Sequence, residues 1–158
     1  MYKTIKVLAM DVDGTLTDGK INIGRDGEIF KSFDVKDGYA IKHLLPKFNI
    51  LPVIITGRIS KITENRAKEL GIENIYQNVK NKQEILHDLC KKYKIGLRNV
   101  AYIGDDLNDL EIMQMVAVAG CPVNAVKEIR AIAHFISNKN GGDGAVRDFI
   151  EWIISECE

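Results

Sequence analysis

An apolar stretch near the beginning of the chain, residues 7–10, leads directly into two aspartates one residue apart, Asp11 and Asp13. Such a run is typical of a strand buried in a parallel sheet. Gly14 follows and permits a sharp turn, which would bring the second carboxylate towards the first. Two neighbouring carboxylates are unfavourable unless one takes a proton or a cation lies between them. The stretch therefore predicts a Mg²⁺ site at a strand end, with a simple Asp-Gly turn as the alternative.

Composition narrows the class of protein. Hydrophobic residues make up 46% of the 158 residues, so one packed domain over residues 1–158 is expected. Basic and acidic side chains number 22 each, and this balance of charge does not favour a nucleic-acid partner. No apolar run could span a bilayer, which argues against a membrane partner, and residues 1–3 lead into the first strand without a signal peptide. The widely spaced Cys90, Cys121 and Cys157 favour reduced thiols in a cytoplasmic protein.

Strand patterns alternate with helix patterns, which predicts an α/β fold: a Rossmann-like, mostly parallel sheet with helices on both faces. A β-hairpin is expected over about residues 20–34, around a Gly-Arg-Asp-Gly turn. Its exposed apolar residues need a cover, and a neighbouring subunit is a reasonable one. Later strands are expected over 50–55, 72–77, 100–103, 116–119 and 134–136. The expected helices are one from Asp37 to near Pro46, three capped by Ser60, Asn81 and Asn124, one ending near Val116, and a final one over 145–155 in a tail of about residues 140–158.

Three of the predicted strands end in polar residues of complementary chemistry, and parallel strands bring such ends to one edge of the sheet. A threonine hydroxyl with a following backbone N–H can hold a phosphate oxygen, and a lysine at a helix start can add positive charge. A metal, a hydroxyl, a lysine and a free carboxylate are the parts that phosphoryl transfer to an aspartate requires. The residues concerned are Asp11, Asp13, Thr56, Gly57, Arg58, Lys82, Asp105, Asp106 and Asp109.

Four stretches resemble, in order, the motifs of the haloacid dehalogenase superfamily: Asp-Val-Asp-Gly-Thr, Ile-Ile-Thr-Gly-Arg, a lysine opening a later helix, and Gly-Asp-Asp-Leu-Asn-Asp. The resemblance implies a Mg²⁺-dependent phosphatase working through an aspartyl phosphate. The implied roles are nucleophile and metal ligand for Asp11, acid/base and metal ligand through its backbone carbonyl for Asp13, metal ligand for Asp105, phosphate binding for Thr56, Gly57 and Lys82, and supporting acids for Asp106 and Asp109.

The gaps between these motifs hold no cap domain, a layout that resembles the 3-deoxy-D-manno-octulosonate 8-phosphate phosphatases. In that family, tetramers place the hairpin and tail of one subunit over the site of another. The resemblance implies a cytoplasmic homotetramer in lipopolysaccharide biosynthesis that acts on an acidic sugar phosphate. The implied substrate-binding residues are Asp13, Asp34, Val35, Lys36, Asp37, Gly38, Lys42, Arg58, Arg66 and Lys82, with Arg147 as a supporting residue from the tail.

The prediction is therefore hydrolysis of 3-deoxy-D-manno-octulosonate 8-phosphate to the free sugar acid and phosphate. Asp34 and Lys36 stand where the family pattern has Asn and Arg, and Asn108 is similar to the acylneuraminate-type enzymes, so a nine-carbon sugar 9-phosphate is the first alternative. A phosphoacceptor signalling domain is the alternative from another class, although it has no need of Asp13. A silent partner-binding subunit ranks last, because all the catalytic residues are present.

Overall fold

The computed structural model describes residues 5–157. The expectation about residues 1–3 lies outside this range. None of the helices within it is both long and apolar enough to span a membrane. The elements are β1 (Val7–Met10), β2 (Asn22–Gly24), β3 (Gly27–Phe30), α1 (Val35–Tyr39), β4 (Leu51–Ile55), α2 (Lys61–Glu69), β5 (Asn74–Tyr76), α3 (Lys82–Tyr93), β6 (Val100–Ile103), α4 (Leu110–Met115), β7 (Val118–Cys121), α5 (Lys127–Ile132), β8 (Phe135–Ile136) and α6 (Ala145–Cys157).

Strand β1 lies in the middle of a six-stranded parallel sheet of order β5-β4-β1-β6-β7-β8. Its last residue, Met10, is in register with Ile54 of β4 and Ile103 of β6. The chain after each strand therefore emerges at the same edge of the sheet. The connections leave β1 in opposite directions, and such a switch point is where open α/β sheets form a crevice for ligands. The predicted fold class is confirmed.

Both faces of the sheet are covered, which explains why β1 reads as a continuous apolar run rather than an alternating one. Leu8 and Met10 point into a buried cluster on one face, which includes Phe149 of α6. Ala9 points into the cluster on the other face, which includes Leu86 of α3. All four residues of β1 are buried, so the aspartate that follows it begins from a rigid, solvent-excluded base.

The helix before β4 begins earlier than predicted. Asp34 caps α1, because its Oδ1 accepts hydrogen bonds from the N–H groups of Lys36 at 2.8 Å and Asp37 at 3.0 Å. The coil then continues through a π-helical turn, Ala40–Leu44, and a 3₁₀ turn, Leu45–Phe48. The predicted beginning at Asp37 was therefore wrong by two residues, and the coil ends at Phe48, two residues after Pro46. Proline lies in the first turn of the 3₁₀ segment, where its missing N–H breaks no hydrogen bond.

Asn124 does not cap a helix, contrary to the prediction. Helix α5 begins at Lys127, after a Val126 that makes no side-chain capping bond. The Oδ1 atom of Asn124 instead accepts a hydrogen bond of 3.1 Å from the N–H of Gly141. This asparagine therefore fixes the glycine-rich turn of the tail.

The strand predicted at 116–119 is present as β7, but it begins and ends two residues later.

The predicted hairpin is confirmed as the antiparallel pair β2–β3, joined by Arg25 and Asp26. Its apolar side chains face solvent in the single chain: Ile23 is 68% exposed, Ile29 61% and Phe30 51%. A two-stranded ribbon with this composition is only marginally stable by itself. The hairpin must therefore be held by other contacts.

The glycine-rich turn before α6 packs directly on the loop after β1. The N–H of Gly142 donates to the carbonyl oxygen of Thr15 at 3.1 Å. Gly141 lies so close that a Cβ added there would be 1.9 Å from the carbonyl oxygen of Gly14. Only a residue without a side chain fits this contact, which holds the glycine-rich turn against the loop that follows Asp11 and Asp13.

We expect Gly141→Ala to lower the free energy of unfolding by about 2 kcal/mol, because the added methyl group must displace backbone rather than a flexible side chain. Gly96→Ala is the matched control, since its nearest neighbours would be an ordinary 3.8 and 3.9 Å away, and its effect should stay within about 0.5 kcal/mol. Urea unfolding of both variants measures the difference. Equal stability of the two variants would contradict the close approach.

Candidate active site

The strand ends β1, β4 and β6 bring three of the predicted residues together, Asp11, Thr56 and Asp105. An open cleft of about 160 Å³ is lined by two of them, Asp11 and Thr56. Carboxylate oxygens of Asp11, Asp105 and Asp109 all lie within 4.8 Å of one another. The residues that line the cleft are Asp11, Asp13, Thr56, Gly57, Arg58, Asp106 and Asn108.

Asp11 is the buried centre of the site, with only 4% of its surface exposed. Its Oδ1 accepts a hydrogen bond from the N–H of Val12 at 2.8 Å and lies 3.2 Å from the Nζ of Lys82. Burial and repulsion from Asp109 and Asp105 raise the pKa of Asp11, whereas Lys82 acts in the opposite direction. A further positive charge at the cleft would therefore stabilise the ionised form of Asp11.

Lys82 is the first residue of α3, which begins after Asn81, whose side chain accepts from the N–H groups of Gln83 and Glu84. The cap sets the direction of the helix, and the lysine extends from it into the sheet edge. Burial lowers the pKa of Lys82, but attraction to Asp11 and Asp109 outweighs it, so the pKa rises. Lys82 is therefore a permanent buried ammonium group beside Asp11.

Asp109 is fully buried and organises its neighbours through both carboxylate oxygens. Oδ1 accepts from Lys82 Nζ at 2.7 Å and from the hydroxyl of Tyr102 at 2.6 Å. Oδ2 accepts from the N–H groups of Asp105 at 2.9 Å and Asp106 at 3.2 Å. Because these contacts engage both oxygens, Asp109 fits a supporting position better than that of a metal ligand. Asp106 itself is exposed at the cleft rim and caps the short turn that follows.

Asp105 and Asp11 form a donor set that fits a hard divalent cation. The hydroxyl of Thr15 donates to Asp105 Oδ1 at 3.1 Å, which orients the carboxylate. Burial, followed by repulsion from Asp109, raises the pKa of Asp105 to about 7. Burial, and then repulsion between carboxylates, raises the pKa of both Asp11 and Asp105. A cation stabilises such groups as carboxylates, and Mg²⁺ prefers few protein ligands of this type.

Asp13 lies at the cleft rim, partly exposed, and is held by two cations. Lys31, the residue after β3, places its Nζ 2.5 Å from Asp13 Oδ1, and the Nε of Arg58 lies 3.9 Å from Oδ2. Thr56, at the other side of the cleft, has its backbone fixed by bonds to Tyr76 and Val79. A second carboxylate and a rigid hydroxyl therefore face the same cleft as Asp11.

The remaining predicted substrate residues lie elsewhere in the single chain. Most of them line two cavities beside α1 and α2, which share no lining residue with the cleft. Val35 and Lys36 are exposed, and Arg147 bonds to Glu151 at 2.5 Å while stacking over Tyr39. The residues that line these cavities from the predicted set are Asp34, Val35, Asp37, Gly38, Lys42 and Arg66.

Within this second group, the side chains are engaged in local contacts. Lys42 donates to the carbonyl oxygen of Glu69 at 3.0 Å, and Arg66 pairs with the Glu69 carboxylate at 2.9 Å. Asp37 is buried, and its Oδ1 accepts a bond of 2.8 Å from the N–H of Arg147 in α6. Its Oδ2 has no hydrogen-bond partner in the described chain, nor has the Nε of Arg66. The single chain therefore leaves polar atoms of this group unsatisfied.

Sequence reasoning missed three residues that shape the site: Thr15, Lys31 and Tyr102. Thr15 belongs to the aspartate motif, and a hydroxyl only two residues after Asp13 was an available signal. Tyr102 lies in a buried strand, where an inward hydroxyl demands a polar partner, so it too could have been found. Lys31 carries no such signal, because lysines in hairpins are usually solvated.

Comparisons with known proteins identify related sequences and structures. Residues 53–150 match the model of the haloacid dehalogenase-like hydrolase family. The 3-deoxy-D-manno-octulosonate 8-phosphate phosphatases KdsC of Salmonella typhi and Escherichia coli K12 are each 40% identical over 152 residues, covering 96% of this chain and 80% of theirs.

Solved structures agree with these matches. The Moraxella catarrhalis 3-deoxy-D-manno-octulosonate 8-phosphate phosphatase, in complex with a magnesium ion, a phosphate ion and KDO, superposes with a TM-score of 0.93 at 42% identity, covering 98% of this chain and 88% of that one. The Yersinia pestis enzyme gives a TM-score of 0.93 at 38% identity, covering 98% and 83%.

The buried Asp37 predicts a pH dependence of stability. Burial raises its pKa to about 7, against the opposing N–H groups of Arg147 and Gly144. An unfolded aspartate has a pKa of about 3.9, so between about pH 4 and pH 7 the folded chain keeps a proton that the unfolded chain releases. The free energy of unfolding should therefore fall as the pH rises through this window, and Asp37→Asn should make that fall smaller.

Urea unfolding at about pH 4, 5.5 and 7 in the presence of a chelator measures this dependence. Asp11 and Asp105 contribute in the same direction, so the fall should be reduced by Asp37→Asn and not abolished. Asp88→Asn, at an exposed position of α3, is the control and should behave as the wild type. The interpretation fails if Asp37→Asn and the wild type show the same slope.

Proposed function

The chain belongs to the haloacid dehalogenase-like hydrolases, and from this premise we propose that it is a Mg²⁺-dependent phosphatase for 3-deoxy-D-manno-octulosonate 8-phosphate. The products are the free sugar acid and phosphate. The observation that carries the proposal is the cleft that Asp13 lines together with buried Asp11, which lies next to Lys82 and Asp105. Relatives of that activity that align with 96% of the chain support the choice of substrate.

In the proposed reaction, Asp11 is the nucleophile. Its carboxylate attacks phosphorus, and the bond from phosphorus to the sugar oxygen breaks, leaving an aspartyl phosphate. Asp13 gives its proton to the departing sugar oxygen and then takes one from the water that attacks the intermediate. The second step releases phosphate and restores both carboxyl groups. Because Asp13 lies beside Asp11, hydrolysis of the intermediate is favoured over a phosphoacceptor signalling function.

Positive charge is supplied from two directions. Lys82 approaches Asp11 Oδ1 at 3.2 Å, so its ammonium group lies where the transferred phosphoryl group bears negative charge. Asp11, Asp105 and the backbone carbonyl of Asp13 would hold Mg²⁺. When bound, the ion neutralises charge on the phosphoryl oxygens and relieves the repulsion between Asp11 and Asp105.

The other groups at the cleft bind and orient substrate. The hydroxyl of Thr56 and the N–H of Gly57 are proposed to bind a phosphate oxygen. Arg58 is exposed at the rim, 45% of its side chain facing solvent, and is suited to a carboxylate of the sugar acid. Asn108 lines the same cleft and is the observation that keeps a nine-carbon sugar 9-phosphate as the second candidate.

We further propose a homotetramer in which the hairpin and tail of one subunit complete the site of another. The second group of predicted substrate residues, Asp34 to Gly38 with Lys42 and Arg66, lies away from the cleft within one chain, and the hairpin exposes Ile23 and Ile29. Both observations support completion by a neighbour. We also infer one phosphatase domain over residues 1–158 and a cytoplasmic location, which the free Cys90 and Cys121 support.

Phosphate release from a panel of sugar phosphates tests the activity. With Mg²⁺, we expect the eight-carbon acid 8-phosphate to exceed hexose phosphates in kcat/KM by at least about 100-fold, because only it presents a carboxylate to the cleft arginine. A chelator should abolish turnover and added Mg²⁺ restore it. Asp11→Asn should lose at least about 1,000-fold, since the amide cannot attack phosphorus, whereas exposed Asp88→Asn should keep full activity.

Preference for the nine-carbon 9-phosphate would keep the mechanism and replace the substrate. Activity that survives Asp11→Asn would remove the nucleophile assignment.

Sedimentation of charged hairpin variants tests the assembly. Ile23→Asp combined with Ile29→Asp places two carboxylates on a surface proposed to be buried between subunits. The dissociation constant of the tetramer should therefore rise at least about tenfold. The sugar phosphatase activity should fall as the tetramer dissociates. Val123→Asp, at a half-exposed apolar residue outside the hairpin, is the control. A wild type that sediments as a fully active monomer would refute the proposed assembly.

A further inference from the structure

A continuous chain of charged hydrogen bonds joins the hairpin to the cleft. Lys31, the residue after β3, places its Nζ 2.5 Å from Asp13 Oδ1 and 2.9 Å from Glu28 Oε1. Glu28 Oε2 in turn accepts a bond of 2.5 Å from the hydroxyl of Ser60. Four side chains from the first loop, the hairpin and the start of α2 are therefore linked in series.

The lysine in this chain is not a solvated surface residue. Only 2% of the Lys31 side chain is exposed, with 19% of Asp13 and 17% of Glu28. Burial lowers the pKa of Lys31, but hydrogen bonds to Asp13 and Glu28 outweigh it and raise the pKa. A desolvated ammonium group between two carboxylates is held firmly in position, because moving it away would leave buried charges without a partner or water.

The other end of the chain is anchored in the main fold. Ser60 caps α2 by accepting from the N–H of Thr63 at 3.3 Å, and its own N–H donates to Gln77 Oε1 at 2.7 Å. Ser60 is buried, so Glu28 bonds to a fixed hydroxyl. The apolar side chains of the hairpin mostly face solvent, and the buried polar chain is therefore a principal contact between the hairpin and its own subunit.

We propose that Lys31 is a positioning residue for Asp13, and that docking of the hairpin thereby sets the proton donor of the reaction. The inference rests on the proposed function, in which Asp13 protonates the leaving oxygen. Arg58 is the other cation near Asp13, but it lies 3.9 Å away and its side chain is 45% exposed. Arg58 can turn towards substrate, while Lys31 stays on Asp13 and fixes its carboxyl group.

A displaced proton donor has a specific kinetic signature. The alkoxide of a sugar phosphate leaves poorly without a proton, whereas 4-nitrophenolate leaves well without one. The value of kcat/KM reports the steps through transfer of the phosphoryl group to Asp11. Loss of Lys31 should therefore reduce kcat/KM for the sugar phosphate far more than for 4-nitrophenyl phosphate, and a merely structural defect should reduce both equally.

The test compares Lys31→Met with the wild type on 3-deoxy-D-manno-octulosonate 8-phosphate and 4-nitrophenyl phosphate, both with Mg²⁺. Methionine keeps most of the unbranched apolar part of the side chain and removes the charged ammonium group. We expect the ratio of the two kcat/KM values to fall at least about tenfold, because small displacements of a catalytic group reduce rates by up to about 100-fold. Glu28→Gln should give a smaller change of the same sign, and exposed Lys20→Met should leave the ratio unchanged.

A second variant pair establishes that Lys31 acts through Asp13. In the Asp13→Asn background, Lys31→Met should no longer change the ratio, since the donor is already absent. An equal loss on both substrates, or a selective loss that persists in the Asp13→Asn background, would overturn the inference and leave the phosphatase assignment intact. A wild type inactive on both substrates would instead remove the proposed function itself.

Discussion

The site depends on one buried ammonium group. Lys82 lies 3.2 Å from Asp11 and 2.7 Å from Asp109, and it is 3% exposed. Removing one partner of such a buried pair typically destabilises a protein by about 3–5 kcal/mol, because the remaining charge is left without water or counter-charge. Lys82 allows Asp11 and Asp109 to coexist at the strand ends. Asp109 in turn holds the loop that carries Asp105, so the lysine stabilises the whole acidic cluster.

The sheet explains why these residues meet although they lie far apart in sequence. Strand β1 pairs with β4 on one side and β6 on the other, in a register that ends all three strands together. Every side chain placed immediately after them is directed to one edge. The rigidity of this edge comes from burial on both faces of the sheet, to which α6 of the tail contributes Phe149. The hairpin is attached to the edge by hydrogen bonds.

Much of the fold and the centre of the site could be predicted from sequence, because buried strands and their terminal carboxylates leave strong local signals. The chemistry of several motifs could be inferred without coordinates, and these motifs contain Asp11, Thr56, Lys82 and Asp105. The beginning of α1 and the hydrogen-bond partner of Asn124 were missed. Asp34 and Asn124 are both of residue types that cap helices well, but only tertiary contacts decide that Asp34 caps α1 and that Asn124 binds Gly141 instead. Lys31 was missed for the same reason: its two carboxylate partners are brought to it by the fold.

The contact between the glycine-rich turn and the loop after β1 has a consequence for synthesis of the protein. Thr15 near the beginning of the chain accepts a hydrogen bond from Gly142 near its end, and Gly141 packs against Gly14. During translation, the loop after β1 leaves the ribosome well before the turn that supports it. The nascent chain therefore carries Asp11 and Asp13 on a loop that gains this supporting contact only when residues 141 and 142 have emerged.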